Sequence, residues 1–434
     1  MIRLLYNLLF PIGLLLFMPG YLLKMRRRGN YRRNFGQRFG FYSGEVRTRL
    51  ARQSSTWIHA VSVGEVAVAL KLVAKLRLLD PEFHCVLTTT TTTGYSVAEC
   101  EAGEWIQVLY NPLDFLPIVR RAFRLIRPER IVLVEAEVWP NLAAEAHRLA
   151  IPLALVNARL SPRSERRFRR FRAFVAPTFR CLDLVCAQEP RDVARWEHLG
   201  IDRARIRVIG SIKYDPVETQ PSALNSFDVL ERFRISRDAP VLFGGSTHPG
   251  EEEILAETFQ KLLPEFPSLI LIIAPRHVER ASEVRASLER LGIAVAQRTN
   301  PTPDTRTVNC LLLDTTGELR SWYGGATVVF IGKSLTAHGG QNPVEPILAH
   351  KPVVFGPHME NFSVLAGALV QHSGAIQIPD RESLVPAVAG LLRDETARAR
   401  LIANAHDVIA AHRGATARTA ELLTSLRSAG NRER

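Results

Sequence analysis

The residues best suited to chemistry are three glutamates and a lysine in the first half of the chain. Glu65 follows the run Trp57-Ile58-His59-Ala60-Val61-Ser62-Val63-Gly64, Glu135 and Glu137 close the run Ile131-Val132-Leu133-Val134, and Lys213 ends Gly210-Ser211-Ile212-Lys213. A carboxylate just beyond a strand, on the first turn of a helix, can take a proton from a hydroxyl group. A second carboxylate beside it can orient an acceptor or hold the first one's partner. Lys213 offers a cation to a transferred acidic group. A local reading competes at each position. Ser62-x-x-Glu65 is also a capping box, and the helix dipole favours a glutamate there for stability alone. Glu137 fits a helix cap or an arginine partner better than a catalyst, and Lys213 fits a solvated lysine. The local residues leave both readings open.

The elements that would position these groups follow from a change of period. Trp57 to Val61 is a β-branched, apolar strand, and Val66, Ala69, Leu70 and Val73 then recur at helical spacing. Strands are expected again at 84–89, 106–110, 131–135, 152–157, 182–187 and 206–210. The threonine tract after residue 87 is read as strand end, turn and helix start, with the helix running from Tyr95. Strands alternating with helices imply a parallel sheet covered on both faces, with ligands beyond the carboxyl ends of its strands.

A proline- and serine-rich stretch between 216 and 226 marks a domain boundary. Beyond it strands are expected at 241–244, 269–274, 294–297, 310–313, 327–331 and 352–355, so a second α/β lobe facing a cleft is the natural architecture. Its strands lead into Gly245-Ser246-Thr247-His248-Pro249-Gly250-Glu251, Pro275-Arg276-His277, Thr315-Thr316-Gly317-Glu318, Gly332-Lys333-Ser334 and His338-Gly339-Gly340-Gln341-Asn342-Pro343-Val344-Glu345-Pro346. Glycines and helix starts bring backbone amides to a phosphate, an arginine pairs with it, and a carboxylate accepts from ribose hydroxyls. Together they describe a nucleotide pocket. His248, His277 and His338 lack metal-ligand spacing, and no metal-nucleotide signature is present, so neither a bound metal nor a cofactor is expected.

The formal charge of +13 on 434 residues and a pI of about 10.0 call for an acidic partner: nucleic acid, an anionic membrane or a phosphorylated substrate. Five scattered cysteines indicate neither a disulfide framework nor a zinc site. Leu4 to Leu23 is almost wholly apolar and runs into Lys24, Arg26, Arg27, Arg28, Arg32 and Arg33, the pattern of an uncleaved anchor with a cytoplasmic body. Pro11 and Pro19 also admit a segment lying in one leaflet. In 161–180, seven arginines interleave with Phe168, Phe171, Phe174 and Phe179. Phe168, Phe171 and Val175 recur at helical spacing, as in a basic helix resting on an anionic membrane, and nucleic-acid binding would use similar chemistry.

Read in order, the anchor with its arginine exit, His59-Ala-Val-Ser-Val-Gly-Glu65, Glu135-Ala-Glu-Val-Trp-Pro-Asn141, Asn157-Ala-Arg-Leu-Ser161, Gly210-Ser-Ile-Lys213, Ser246-Thr-His-Pro-Gly-Glu251, Pro275-Arg-His277 and Gly339-Gly-Gln-Asn-Pro-Val-Glu-Pro346 form a set. Over nearly its whole length the chain resembles the 3-deoxy-D-manno-octulosonic acid (Kdo) transferases of lipopolysaccharide synthesis. The resemblance implies the GT-B architecture: an anchor over 1–24, a Rossmann-like acceptor domain over 25–215 and a CMP-Kdo-binding domain over 227–434. It implies metal-independent, inverting transfer of Kdo from CMP-Kdo to an anionic lipid A precursor of the lipid IVA type, at the cytoplasmic face of the inner membrane. It makes Glu65 the general base and gives Glu135 and Lys213 to transition-state stabilisation. CMP contacts fall on Pro275 and Arg276, on Thr316, Gly317 and Glu318, and on Asn342, Pro343, Val344 and Glu345. Thr316 and Lys333 depart from the family pattern, so the resemblance carries backbone contacts there and no side-chain ones. The membrane partner would be met through the N-terminal helix and 161–180, with no role for nucleic acid. Two other classes share some of these features: a membrane-associated transferase with a UDP donor, and a membrane-tethered nucleic-acid-binding protein, which leaves the carboxylates unexplained.

Overall fold

The computed structural model describes residues 2–28, 34–51, 55–160, 162–215, 226–300 and 308–426. Arg32, Arg33, Ser161 and the expected linker up to residue 225 lie outside them. The chain divides into two compact units, Met1–Asp215 with His412–Arg434, and Pro216–Ala411.

The first unit holds β1 (Ser55–His59), β2 (Cys85–Thr89), β3 (Ile106–Tyr110), β4 (Pro128–Val134), β5 (Leu153–Ala158), β6 (Leu184–Ala187) and β7 (Ile206–Val208). They form one parallel sheet in the order β3-β2-β1-β4-β5-β6-β7. The direction of winding reverses between β1 and β4. Helices cover both faces, so β1, β2 and β5 are buried at every residue, and one cluster forms on each side of the sheet. The threonine tract divides its duties. Thr88 and Thr89 end β2, and the Thr91 hydroxyl accepts from the Gly94 amide at 3.0 Å, so the helix begins at Thr92, three residues before the expected start.

The second unit repeats the plan with β8 (Val241–Thr247), β9 (Ile270–Pro275), β10 (Val295–Gln297), β11 (Cys310–Leu312), β12 (Val328–Ile331), β13 (Val353–Phe355) and β14 (Ile376–Gln377), in the order β10-β11-β9-β8-β12-β13-β14. Its reversal lies between β8 and β12. The two-residue edge strand β14 was not expected, being too short to leave a period in the sequence.

One expected boundary is corrected. The Ala415–Ser425 helix belongs with the first unit, not with the second as the 227–434 domain required. Asp215 accepts from the amides of Gly414 (2.7 Å) and Thr416 (2.6 Å), and Ala415, Ala420 and Leu423 enter the core beside Leu72 and Ile212. A carboxylate capping a helix start about two hundred residues later leaves no local trace in the sequence.

The Ile2–Arg28 helix docks on the first unit through polar groups. The side-chain amides of Asn7 and Asn141 exchange two hydrogen bonds (2.8 and 3.0 Å), Asn7 accepts from the Leu116 amide at 3.1 Å, and Phe10 stacks on Phe115. Leu4, Leu8, Leu15 and Leu16 are left exposed, each by more than two thirds. This inverts the arrangement of a soluble amphipathic helix. No helix among the described residues is long and apolar enough to cross a membrane.

The arginine-phenylalanine segment also departs from the expected single helix. It is two helices, Pro162–Arg170 and Arg172–Phe179, broken at Phe171. Phe168 turns inward against Phe179, and Val175 packs on the same core. Phe171 and Phe174 are the exposed rings.

Candidate functional site

The winding reversal of the first sheet sets the carboxyl ends of β1 and β4 side by side, the position at which open α/β sheets bind ligands. Glu65 follows β1 and Glu135 follows β4. The serine half of the capping box anticipated at Ser62 is present, its hydroxyl accepting from the Glu65 amide (3.4 Å) and donating to Glu65 Oε1 (2.9 Å), but Oε2 accepts from the Val61 amide (2.9 Å) and not from that of Ser62 as expected. The cap leaves a chemical role open. It holds the carboxylate in one orientation, and burial, reinforced by the charges of Glu135 and Glu137, pushes its pKa up to about 7 against the pull of the Val61 and Ser62 hydrogen bonds. A carboxyl group that titrates near neutrality is suited to accept a proton.

Glu135 lies in the left-handed region at φ 63°, a conformation that costs a side-chain-bearing residue roughly 1–2 kcal/mol. Ser246 near the end of β8 and Lys333 after β12, at the reversal of the second sheet, share that conformation with residues elsewhere in the chain. Glu137 is pushed above the usual carboxylate range by burial and by Glu135, and its side chain is hydrogen-bonded by that of Trp139. Neither glutamate caps the following Pro140–Arg148 helix. That task falls to Asp114, whose two oxygens accept from the amides of Leu142 and Asn141, each at 2.9 Å. A lone aspartate between elements gives no motif by which the sequence could announce it.

Lys213 completes the cluster. Burial pulls its pKa down, Glu135 raises it and Arg159 lowers it, so the three charges are felt together. Its turn is held by Asn157, whose Oδ1 accepts from the Ser211 hydroxyl (3.2 Å) and the Ile212 amide (3.1 Å). Asn157 in β5 and Arg159 just after it belong to the same short motif, so one segment both holds the lysine's turn and sets a second cation near it. His59 is fully buried, and burial lowers its pKa to about 4. It is a neutral ring whose Nδ1 lies 3.1 Å from the Thr88 carbonyl oxygen, joining β1 to β2.

In the second unit Pro275, Arg276, Thr316, Gly317 and Glu318 line one pocket of about 110 Å³ together with Ser246, Thr315 and Trp322. Gly317 has φ +82°, a backbone that a side chain would strain. Glu318 Oε2 accepts from the Thr315 hydroxyl (3.0 Å) and the Trp322 indole (3.4 Å) and lies 3.4 Å from Arg298. Asn342, Pro343, Val344 and Glu345 stand outside that lining, at the start of the Val344–Leu348 helix, where Asn342 Oδ1 accepts from the Val344 amide at 3.1 Å.

The glycine-flanked loops at the second reversal hold a surprise. The amides of Lys333 (2.7 Å), Ser334 (3.0 Å) and Leu335 (3.1 Å) would make a phosphate nest, but the carboxylate of Glu251 already fills it, accepting from His248 as well (2.8 Å). Glu251 is fully buried. It is a strut, so the phosphate-approach reading of Gly332-Lys333-Ser334 is corrected. Glu251→Ala strands four amide donors, that of Ser334 in a buried residue and the others part-buried, and the expected loss is roughly 3 kcal/mol of local stability. Amide hydrogen exchange at Lys333, Ser334 and Leu335 should accelerate accordingly.

Residues 33–216 match the family model described as 3-deoxy-D-manno-octulosonic-acid transferase. The 3-deoxy-D-manno-octulosonic acid transferase of Haemophilus influenzae is 33% identical over 91% of this chain and 91% of its own, and that of Bordetella pertussis is 33% identical over 89% and 90%. Among solved structures, the UDP-GlcNAc 2-epimerase of Neisseria meningitidis bound to UDP-GlcNAc (TM-score 0.56, 12% identity, 86% of this chain and 100% of that one) shares the fold. So does the glycotransferase of kitacinnamycin (TM-score 0.52, 16% identity, 87% and 100%). With a third of its residues shared over nine tenths of its length, the chain belongs to the 3-deoxy-D-manno-octulosonic acid (Kdo) transferase family.

Proposed function

We propose that this chain transfers Kdo from CMP-Kdo to a hydroxyl of an anionic lipid A precursor of the lipid IVA type, with inversion at the anomeric carbon. The observation that carries the reading is Glu65, a carboxylate held by its cap and titrating near neutrality. Ionised, it takes the proton of the acceptor hydroxyl as that oxygen attacks the anomeric carbon. Glu135 and Lys213 act on the charge that develops at the reacting centre, and the Kdo carboxylate is a natural partner for Lys213. The pocket around Gly317 receives the cytidine end of the donor, with Asn342, Pro343, Val344 and Glu345 beside it. The leaving phosphate meets Arg276, a cation that disperses its charge without need of a metal. Purified protein incubated with CMP-Kdo and the lipid precursor should yield a product heavier by one or more Kdo units on mass spectrometry. Equal turnover with a UDP-sugar and none with CMP-Kdo would reject the donor assignment.

The same reading seats the protein on the cytoplasmic face of the inner membrane. Its support is the exposed leucine face of the Ile2–Arg28 helix and the exposed rings of Phe171 and Phe174 among arginines. Because the helix is tied down by Asn7, it lies in the interface, with its leucines in the acyl boundary. Replacing Leu8 and Leu15 by serine removes about 3 kcal/mol of apolar transfer, a more than hundredfold loss of partitioning onto anionic vesicles. Flotation of the double variant at wild-type levels would contradict the seating.

A further inference from the structure

The transfer chemistry makes no use of a cluster on the second unit that the fold assembles from separate segments. His338 stands at the head of the Gly339-Gly340 loop, and His358 and Glu360 come from the turn after β13. His338 Nδ1 lies 3.0 Å and His358 Nδ1 3.5 Å from the same carboxylate oxygen, Glu360 Oε1. The two imidazole rings are 3.9 Å apart between centroids. One nitrogen from each ring and one carboxylate oxygen lie within 4.8 Å of one another. We propose that His338, His358 and Glu360 form a binding site for a divalent transition-metal ion of the zinc class, bound through two imidazole nitrogens and one carboxylate oxygen.

The spacing is that of a ligand set. Bonds of about 2.0–2.1 Å place neighbouring ligands on a tetrahedral ion roughly 3.3 Å apart, close to two of the separations already present. Both rings converge on one carboxylate oxygen, and a cation among them is held by all three groups at once. Two imidazoles with a carboxylate select zinc, cobalt or nickel over magnesium, which takes oxygen ligands.

The backbone beneath the cluster is fixed before any ion arrives. Glu360 Oε2 accepts from the Gly339 amide at 2.6 Å, so one oxygen is anchored and the other points at the rings. The His358 amide donates to the Ser334 carbonyl and the Asn361 amide to the Gly339 carbonyl, each at 2.9 Å. The two segments pass so closely that a Cβ on Gly340 would stand 2.4 Å from Met359 Sδ. An ion here would fasten the loop leading into Asn342 to the turn at Glu360, and its remaining positions would stay open to water or an anionic oxygen.

The test uses the untagged full chain, stripped with a chelator and titrated calorimetrically with zinc chloride and, separately, magnesium chloride. Cobalt(II) serves as a coloured probe of the ligand field. The wild type should bind one zinc with micromolar affinity, ignore magnesium and give a visible cobalt spectrum. His338→Ala, His358→Ala and Glu360→Gln should each weaken zinc binding by more than about tenfold. Their metal-free melting curves should match the wild type, because all three side chains are partly or well exposed. No zinc binding by the wild type, equal affinity for magnesium, or undiminished zinc binding by the triple variant would overturn the site.

Discussion

Glu65→Gln should lower turnover by roughly 10³-fold, a loss typical of removing a general base, while leaving the protein folded and able to bind CMP. Glutamine is the discriminating choice because the capping box accepts it. Its amide oxygen can still take the Val61 N–H, and its NH₂ can donate to Ser62 in place of the present 2.9 Å contact. The substitution therefore separates the capping duty from the proposed catalytic one. If Glu65 were only a cap, the glutamine variant would keep most activity and Glu65→Ala would lose stability alone. With Glu65 as the base, glutamine and alanine should be equally inactive, while alanine also loses about 1 kcal/mol from the helix start. Isothermal titration with CMP and a thermal melt, run beside the turnover assay, complete the comparison.

Lys213→Met should reduce kcat by roughly 10²- to 10³-fold with a much smaller change in KM, as expected of a charge that acts as the reaction centre develops its own. Methionine preserves most of the volume of a half-buried side chain, so the fold should survive. A second consequence follows from the electrostatics. Glu135 raises the pKa of both Glu65 and Lys213, so the three groups share one field. Without the lysine, the Glu135 charge is less compensated, and Glu65 should become a weaker acid still. The midpoint of the acid limb of the pH–rate curve should move upward from about 7. A kcat loss with no such movement would mean that Lys213 acts apart from the glutamates.

The parts of the fold that the sequence displays are those built from near neighbours. The strand, turn and helix around Ser62 show as a change from a continuous apolar run to a period of 3.6 within a dozen residues, and the cap lies wholly inside them. The parallel sheets show because strands buried on both faces read as continuous apolar runs. What the sequence conceals depends on distance. Asp114 caps a helix that begins twenty-six residues later, Asp215 caps the Ala415–Ser425 helix, and Glu251 fills a nest more than eighty residues away. Asp114 and Asp215 are unremarkable acids in their own neighbourhoods, and the motif that ends in Glu251 does not show the distant amides it holds. Phe168 and Phe171 look alike on a helical wheel, but a break at Phe171 turns one ring inward and leaves the other in solvent. His338 lies twenty residues from His358, so their meeting owes nothing to local spacing.

The account stands on an ionised Glu65 doing the work, and the pH dependence of kcat/KM tests that most directly. The carboxylate is active only when deprotonated, so wild-type kcat/KM should be full above neutrality and fall tenfold per unit as pH drops below about 7. In Glu65→Gln the residual activity should lose that limb. A wild-type profile that stays flat down to the ordinary carboxylate range, or a glutamine variant that keeps the limb near neutrality, would contradict the assignment.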